Sequence, residues 1–217
     1  MERSKKPAEM NPKVMAVHLF FLVLFFVLVI LAKQPLWLAL FAVTLGLATR
    51  IGRIYCGHIC PMNTLMTPLD KAMKQKKAPR LDAPKWLANR SIRWVFVALS
   101  AALAIVTTLT KGRTFPVMLI WIAVALLVTL RYKPEVFHNH ICPFGTLQEL
   151  AGAHAVRGHK VDASKCEGHK QCEKVCPSAA IRYDAAKGSA GIAVNLCHQC
   201  GRCARACPTK AIAPSKR

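Results

Sequence analysis

Ten cysteines decide what chemistry this chain can do. Cys197, Cys200, Cys203 and Cys207, followed by Pro208, form a Cys-x2-Cys-x2-Cys-x3-Cys-Pro run. A compact turn of this spacing aims three thiolates at three irons of a 4Fe–4S cluster, while the fourth cysteine serves a second cluster. The proline has no competing N–H and turns the chain away. Zinc ribbons favour two Cys-x2-Cys knuckles across a long gap, and disulfides belong to oxidising compartments, so both fit this run less well. An offset of 31 residues maps Cys166, His169, Cys172 and Cys176 onto the four run cysteines without a gap, and Cys176-Pro-Ser-Ala-Ala-Ile181 onto Cys207-Pro-Thr-Lys-Ala-Ile212. By the cross-over rule one cluster takes Cys197, Cys200, Cys203 and Cys176. Its partner takes Cys166, Cys172 and Cys207, and its fourth slot falls on His169. Two outcomes stay open there. Imidazole ligates iron in Rieske centres and raises the potential; otherwise the corner is vacant, giving a 3Fe–4S cluster or a labile iron with water.

A second constellation repeats at an offset of 82 residues, which lays Ile54–Leu65 on Val136–Leu147. Cys56-x3-Cys60-Pro61 becomes His138-x3-Cys142-Pro143. Neither pair holds a cluster alone. Together they offer Cys56, Cys60, Cys142 and His138, and ten Cys with two His fill twelve ligand slots, enough for three clusters. In the alternative the loops lend thiolates to the tail, with Cys142 replacing the ligand missing at His169. His58 and His140 occupy equivalent places two residues before Cys60 and Cys142. They serve as N–H donors to cluster sulfur or as proton acceptors beside a bound quinone, for which an imidazole titrating near neutrality is suited; the plainer reading is a solvated histidine kept from the duplication.

The elements that carry these loops are membrane helices. The 217 residues are 53% hydrophobic, yet 31 Lys and Arg against 10 acids give a net charge of +21. That combination excludes a disordered tail and argues against a simple soluble globule. Residues 14–32 contain fifteen Leu, Ile, Val or Phe and no formal charge, long enough for a hydrocarbon core of about 30 Å. Pro35–Thr49 is a second span, expected to extend through Ile51–Tyr55 with Arg50 and Arg53 snorkelling. Ile92–Thr110 and Thr114–Leu130 are the third and fourth. The turns between paired helices hold only Lys33, Lys111 and Arg113, leaving 28 of the 31 basic residues on the other side. The positive-inside rule then puts both termini and the central loop in the cytoplasm. His18 is expected near the cytoplasmic end of its helix, reaching the interface, and Trp37, Trp94 and Trp121 serve as interface anchors or packing. No Asp or Glu lies within a span, which disfavours a proton pump or channel, and no phosphate loop, Ser–His–Asp set or nucleic-acid-binding pattern is present.

The expected fold class is thus a membrane α-helical domain, four helices in two hairpins, plus a small α+β two-cluster ferredoxin domain. Residues 1–13 form a basic tail and 14–131 the membrane domain, with a Cys-Pro loop at 55–66 and a cytoplasmic loop to 91. A second Cys-Pro loop and connector fill 132–160, and the ferredoxin module fills 161–217. Each Cys-Pro loop leads into a short amphipathic helix. Within the tail, Ala180–Tyr183 and Gly191–Val194 are predicted strands around a Lys187-Gly188 turn. A unit this small buries little core and needs metals.

With two Cys-Pro loops, of which Tyr55-Cys-Gly-His-Ile-Cys-Pro61 and Ile141-Cys-Pro-Phe-Gly-Thr-Leu-Gln148 are the most specific pieces, and a terminal two-cluster module, the chain resembles the NapH/NosR-type (MauN-like) membrane ferredoxins. It lacks the flavin-bearing periplasmic domain of the NosR type. The resemblance implies a multi-pass protein of the bacterial inner membrane that relays electrons between the quinone pool and a respiratory or redox partner protein, as an electron-transfer subunit rather than a stand-alone enzyme. The alternative is an iron–sulfur maturation or redox-regulatory factor for assembly of a metalloenzyme. The basic tail suits anionic lipid or an acidic partner.

Overall fold

The computed structural model describes residues 11–111 and 117–216. Helix α1 (Pro12–Ile30) starts where Asn11 accepts a hydrogen bond from the Lys13 amide at 3.0 Å and Pro12 takes the first helical position, a donor-saving start. Helix α2 (Gln34–Ile51) follows after a tight turn and stops at Gly52, whose φ of +80° ends the helix. The expected continuation through Tyr55 does not occur, because a left-handed glycine breaks the helical path.

A single π-helical turn, Tyr55–Ile59, leads to Cys60, and Pro61 opens α3 (Pro61–Gln75). After the loop to residue 91 come α4 (Ile92–Lys111) and α5 (Val117–Arg131). The residues numbered 114–116, expected to begin the fourth span, and those numbered 1–10 of the basic tail lie outside the described residues. A short turn α6 (Pro134–Val136) then precedes a second π-helical turn, Phe137–Ile141, and α7 (Pro143–Ala151). The two π turns sit 82 residues apart, as the sequence repeat requires. Cys60 N bonds Tyr55 O and Cys142 N bonds Phe137 O, both at 2.9 Å. Such π turns are rare and collect at functional sites.

Three helices, α1, α2 and Ile92–Thr110 of α4, are long and apolar enough to cross a membrane; α5 is a shorter apolar helix. Their outward surface carries Phe20, Val23, Ile30, Val95, Leu109 and Leu127, all exposed, as hydrocarbon contact demands. The buried core lies under the π turns instead. Trp37 donates to the Tyr55 hydroxyl at 3.0 Å, and Phe41 meets Tyr55 and Phe144 edge-on at 5.0 and 5.2 Å. Trp37 and Trp121 are therefore buried packing residues, whereas Trp94 is exposed.

Two expectations are corrected by this packing. Arg53 does not snorkel: it is fully buried, donating to His138 O at 3.0 Å and to Asn139 Oδ1 at 3.3 Å. His18 does not reach an interface either; it is buried, with Nε2 at 2.7 Å from Gly57 O. In both cases a neighbouring loop carbonyl, absent from any single-helix reading, offers a better partner than water.

The tail contains β1 (Arg157–Val161), α8 (Gln171–Lys174), β2 (Ile181–Asp184), β3 (Ser189–Ile192), α9 (Arg202–Ala206) and β4 (Ile212–Lys216). β1 pairs antiparallel with β4, and β2 with β3. The central hairpin lies within one or two residues of its expected place. The outer pair was not expected; its Pro214 is tolerated because both strands of a two-stranded sheet are edges. The 31-residue repeat is visible in the backbone: positive φ recurs at Gly168 and Gln199, Lys170 and Gly201, Ala179 and Lys210. The module's core is small, with Ile181, Ala190, Cys203 and Ile212 buried and four further cysteines packed against them.

Candidate iron–sulfur centres

All ten cysteines are unbridged, and the fold sorts them into three groups. At the inner ends of the helices, each π turn delivers its cysteine to a common point: Cys60 lies within electrostatic reach of Cys56 and Cys142. Burial, with Cys56 and Cys142 beside it, pushes the Cys60 thiol well above its usual range. Burial likewise takes Cys142 to about 12. The Gly145 amide donates to Cys142 Sγ at 3.3 Å.

In the tail, Cys176 stands with Cys197, Cys200 and Cys203. Burial and the neighbouring thiols of Cys200, Cys197 and Cys176 lift Cys203 to about 12, and burial lifts Cys197 to about 11. Cys166, Cys172 and Cys207 line one small pocket together with His169. The cross-over rule would assign the first four cysteines to one cluster and the other three to a second. The repeat extends to the bonds on sulfur. The Ala180 amide donates to Cys176 Sγ at 3.3 Å and the Ala211 amide to Cys207 Sγ at 3.4 Å. Ser178 and Thr209 hydroxyls sit 3.8 and 3.4 Å from the same two sulfurs.

These observations fit iron–sulfur clusters. Thiols crowded into dry space hold their protons tightly, and only a bound cation releases several of them side by side as thiolates. Main-chain N–H donors on sulfur then stabilise the anionic form and set its potential. Among the described residues, no three His, Cys, Asp or Glu side chains converge on a single-ion site. A four-iron cluster takes its thiolates on separate irons, a wider arrangement than a zinc knuckle.

The histidines divide sharply. His169 is exposed, with Nε2 3.6 Å from Glu167 Oε2. His138, the counterpart of Cys56, is buried; burial and then the Arg53 and Arg202 cations push it down to about 3. Its Nε2 has no hydrogen-bond partner among the described residues. His140 is half-buried near Arg93 and Glu149, and His58 is half-buried, each held below its ordinary value by desolvation. Cys142 and His169 fall in different groups, so the placement gives no support to Cys142 filling the slot at His169.

The tail is docked on the two π turns. Asn139 Nδ2 donates to Ser178 O at 2.8 Å, Arg202 Nη2 to Thr67 Oγ1 at 3.0 Å, and the Val156 amide to Arg50 O at 3.1 Å. Buried Glu149 accepts from Arg93 at 2.7 Å, Arg90 at 3.1 Å and Asn195 at 3.2 Å. Gly57 touches the His198 backbone so closely that a Cβ there would stand 1.9 Å from His198 O. Sequence reasoning missed Arg53, Gly57, Asn139, Glu149 and His198 as site residues. A glycine inside a helix-like loop is a usable signal for close backbone approach; the others carry none outside the fold.

The arrangement defines a membrane-associated iron–sulfur protein with duplicated cysteine motifs. Residues 34–79 and 114–161 match a family described as a 4Fe-4S binding domain, and residues 163–217 match the LdpA Fe-S cluster-binding domain. Uncharacterized protein MJ0749 of Methanocaldococcus jannaschii is 29% identical over 140 residues, covering 62% of this chain and 55% of that protein. Ferredoxin-type protein NapH of Haemophilus influenzae is 25% identical over 188 residues, covering 76% and 63%. Methylamine utilization ferredoxin-type protein MauN of Paracoccus denitrificans is 26% identical over 151 residues, covering 63% and 52%. The chain is thus similar to the ferredoxin-type proteins NapH and MauN and matches two families of 4Fe–4S cluster-binding domains. It spans between about half and just under two-thirds of the length of these relatives. No solved structure matches it.

Proposed function

We propose that this chain is an inner-membrane electron relay whose three cysteine groups stand in line: Cys56, Cys60 and Cys142 at the membrane edge, then Cys176, Cys197, Cys200 and Cys203, then Cys166, Cys172 and Cys207 outermost. The observation that carries the reading is the docking of the tail. Ser178, two residues from Cys176, is held by Asn139, and His198, next to Cys197, lies against Gly57, so the second group faces the first. When bound, 4Fe–4S clusters supply reversible one-electron reduction. The chain's own residues hold them at fixed spacing, exclude water from the two inner groups, and offset thiolate charge with the buried Arg53 guanidinium. His138 and His169 are the proposed fourth ligands of the first and third groups, and the third group is equally compatible with a 3Fe–4S centre.

The donor we propose is a quinol. An open cavity of about 380 Å³ lies between the inner end of α2 and the β1–β4 pair, within the size range of small-molecule sites. Ile51, Ile54 and Pro214 give it apolar walls, and His58 and Gln199 line it with polar groups. His58 Nδ1 and Gln199 Nε2 are buried without a partner among the described residues, free to bond a ring oxygen. Oxidation of one quinol releases two electrons and two protons, and His58 stands where it can accept a proton. The reading puts the tail on the cytoplasmic side of four spans, with Thr114–Leu130 as the fourth, and the distribution of basic residues supports it; an acidic redox protein is then the fitting partner.

The test is anaerobic reconstitution of the full chain in lipid nanodiscs, mixed with a short-chain quinol in stopped flow. Bleaching of the visible iron–sulfur absorbance within the mixing series supports the relay. No bleaching by any quinol, with loss of a partner enzyme's cofactor when the chain is deleted, refutes it in favour of an assembly factor.

A further inference from the structure

We propose that His198, carried by the tail, completes the membrane-edge centre by donating a ring N–H to its sulfur. This rests on reading Cys56, Cys60 and Cys142 as a cluster site, and it gives that site a residue from outside the two Cys-Pro loops.

Four features of the junction lead there. His198 is 1% exposed, and neither ring nitrogen has a hydrogen-bond partner among the described residues. Leaving both nitrogens of a buried imidazole unpaired is costly, so a group outside the polypeptide is the natural partner. Its ring stands perpendicular to that of His138, with centroids 4.8 Å apart, and His138 Nε2 is itself buried and unpartnered. Its backbone presses on Gly57, the residue after Cys56, closely enough to forbid a side chain there. Finally, residue 198 is covalently next to Cys197. The junction thus gathers three imidazole nitrogens, unpartnered among the described residues, against the π turn that carries Cys56.

Chemistry assigns the roles. Three thiolates leave one iron corner, and His138 occupies the ligand position of the 82-residue repeat. His198 has no cysteine counterpart in the repeat of its own loop, where the residue at offset 31 is Glu167. A neutral imidazole always carries one N–H, and cluster sulfur is the acceptor the site lacks. N–H donors on sulfur favour the more reduced, more negative cluster, so His198 raises the potential of the membrane-edge centre. It also links the second group, through Cys197, to the backbone contact with Gly57 beside Cys56.

Full-length protein, reconstituted anaerobically, is compared with His198→Phe, which keeps the ring shape, and His198→Gln, which keeps an N–H. Iron content and EPR-monitored redox titration are read, with deuterium hyperfine coupling after exchange into heavy water. The expected result is full iron in all three proteins and a lower midpoint for the membrane-edge centre in His198→Phe. In His198→Gln most of that shift is recovered, and the centre of Cys166, Cys172 and Cys207 does not move. One exchangeable deuteron coupling disappears in His198→Phe. Unchanged midpoints and couplings at full iron overturn the role of His198 alone. Parent protein whose iron accounts only for the two tail centres overturns the membrane-edge site and this proposal with it.

Discussion

Replacing Gly57 by alanine tests the docking on which the relay depends. The added Cβ would stand 1.9 Å from His198 O and 3.0 Å from His198 C. Both are backbone atoms, so no rotamer change relieves the clash. Cβ atoms do not approach closer than 3.0 Å, so the tail loop and the π turn must part by about 1.1 Å. The π turn cannot yield freely, because His18 Nε2 is bound to Gly57 O at 2.7 Å and Cys60 N to Tyr55 O at 2.9 Å. Overpacking of this kind costs about 1–3 kcal/mol. At about 2–4 °C per kcal/mol for a chain of this size, loss of visible absorbance on heating should come about 2–12 °C earlier. Gly46→Ala is the control, since a Cβ at Gly46 meets nothing within 4 Å. Magnetic coupling between the membrane-edge and second centres should weaken in Gly57→Ala only. Melting within a degree of the control, with unchanged coupling, would refute the close approach and with it the in-line order.

Three further outcomes follow from particular contacts. Arg93 is 13% exposed and Glu149 6%, whereas Arg90 is 74% exposed; Arg93→Ala leaves a buried carboxylate short of its main partner and should cost about 3–5 kcal/mol, while Arg90→Ala should cost under about 1 kcal/mol, both read as melting shifts. Withdrawing iron with a chelator should expose the tail to protease before the helices, because its own core is four buried side chains, Cys203 among them, with four more cysteines packed against them; digestion mapped by mass spectrometry would show cuts after residue 157 first. Cys176→Ser should alter the EPR signal of the second group and leave the outermost group intact, with Cys207→Ser doing the reverse, since each serine falls in the other half's centre.

Much of the site was legible because it is duplicated. Two gapless offsets fixed which cysteines correspond, and each appears in the backbone as paired π turns or paired left-handed residues. The three apolar helices were legible from length and composition alone. The end of α2 was misjudged for a local reason: hydrophobicity continues past Ile51, but Gly52 ends the helix, and Arg53 then turns inward. Periodicity reports how a helix faces an apolar surround; it carries no information about which carbonyls a second loop will present. Arg53 finds the carbonyl of His138 eighty-five residues away, and His18 that of Gly57. The β1–β4 pair was illegible because its two strands are separated by the whole cysteine module and one contains a proline.

The two cysteine-to-histidine changes differ in what the surroundings allow. His169 is exposed beside Glu167; water or the carboxylate satisfies its nitrogens, so the outermost centre tolerates either a ligating or an idle imidazole. His138 has no such freedom. It is 4% exposed, its Nε2 meets no partner among the described residues, and burial, then Arg53 and Arg202, make a positive charge on its ring unfavourable. On the proposed reading, this buried imidazole at the repeat position of a thiolate is the better placed of the two to serve as a fourth ligand. A nitrogen hyperfine coupling on the membrane-edge centre alone, absent from the outermost one, is the outcome this asymmetry of burial predicts. Equal nitrogen coupling on both would mean that exposure does not decide ligation in this fold.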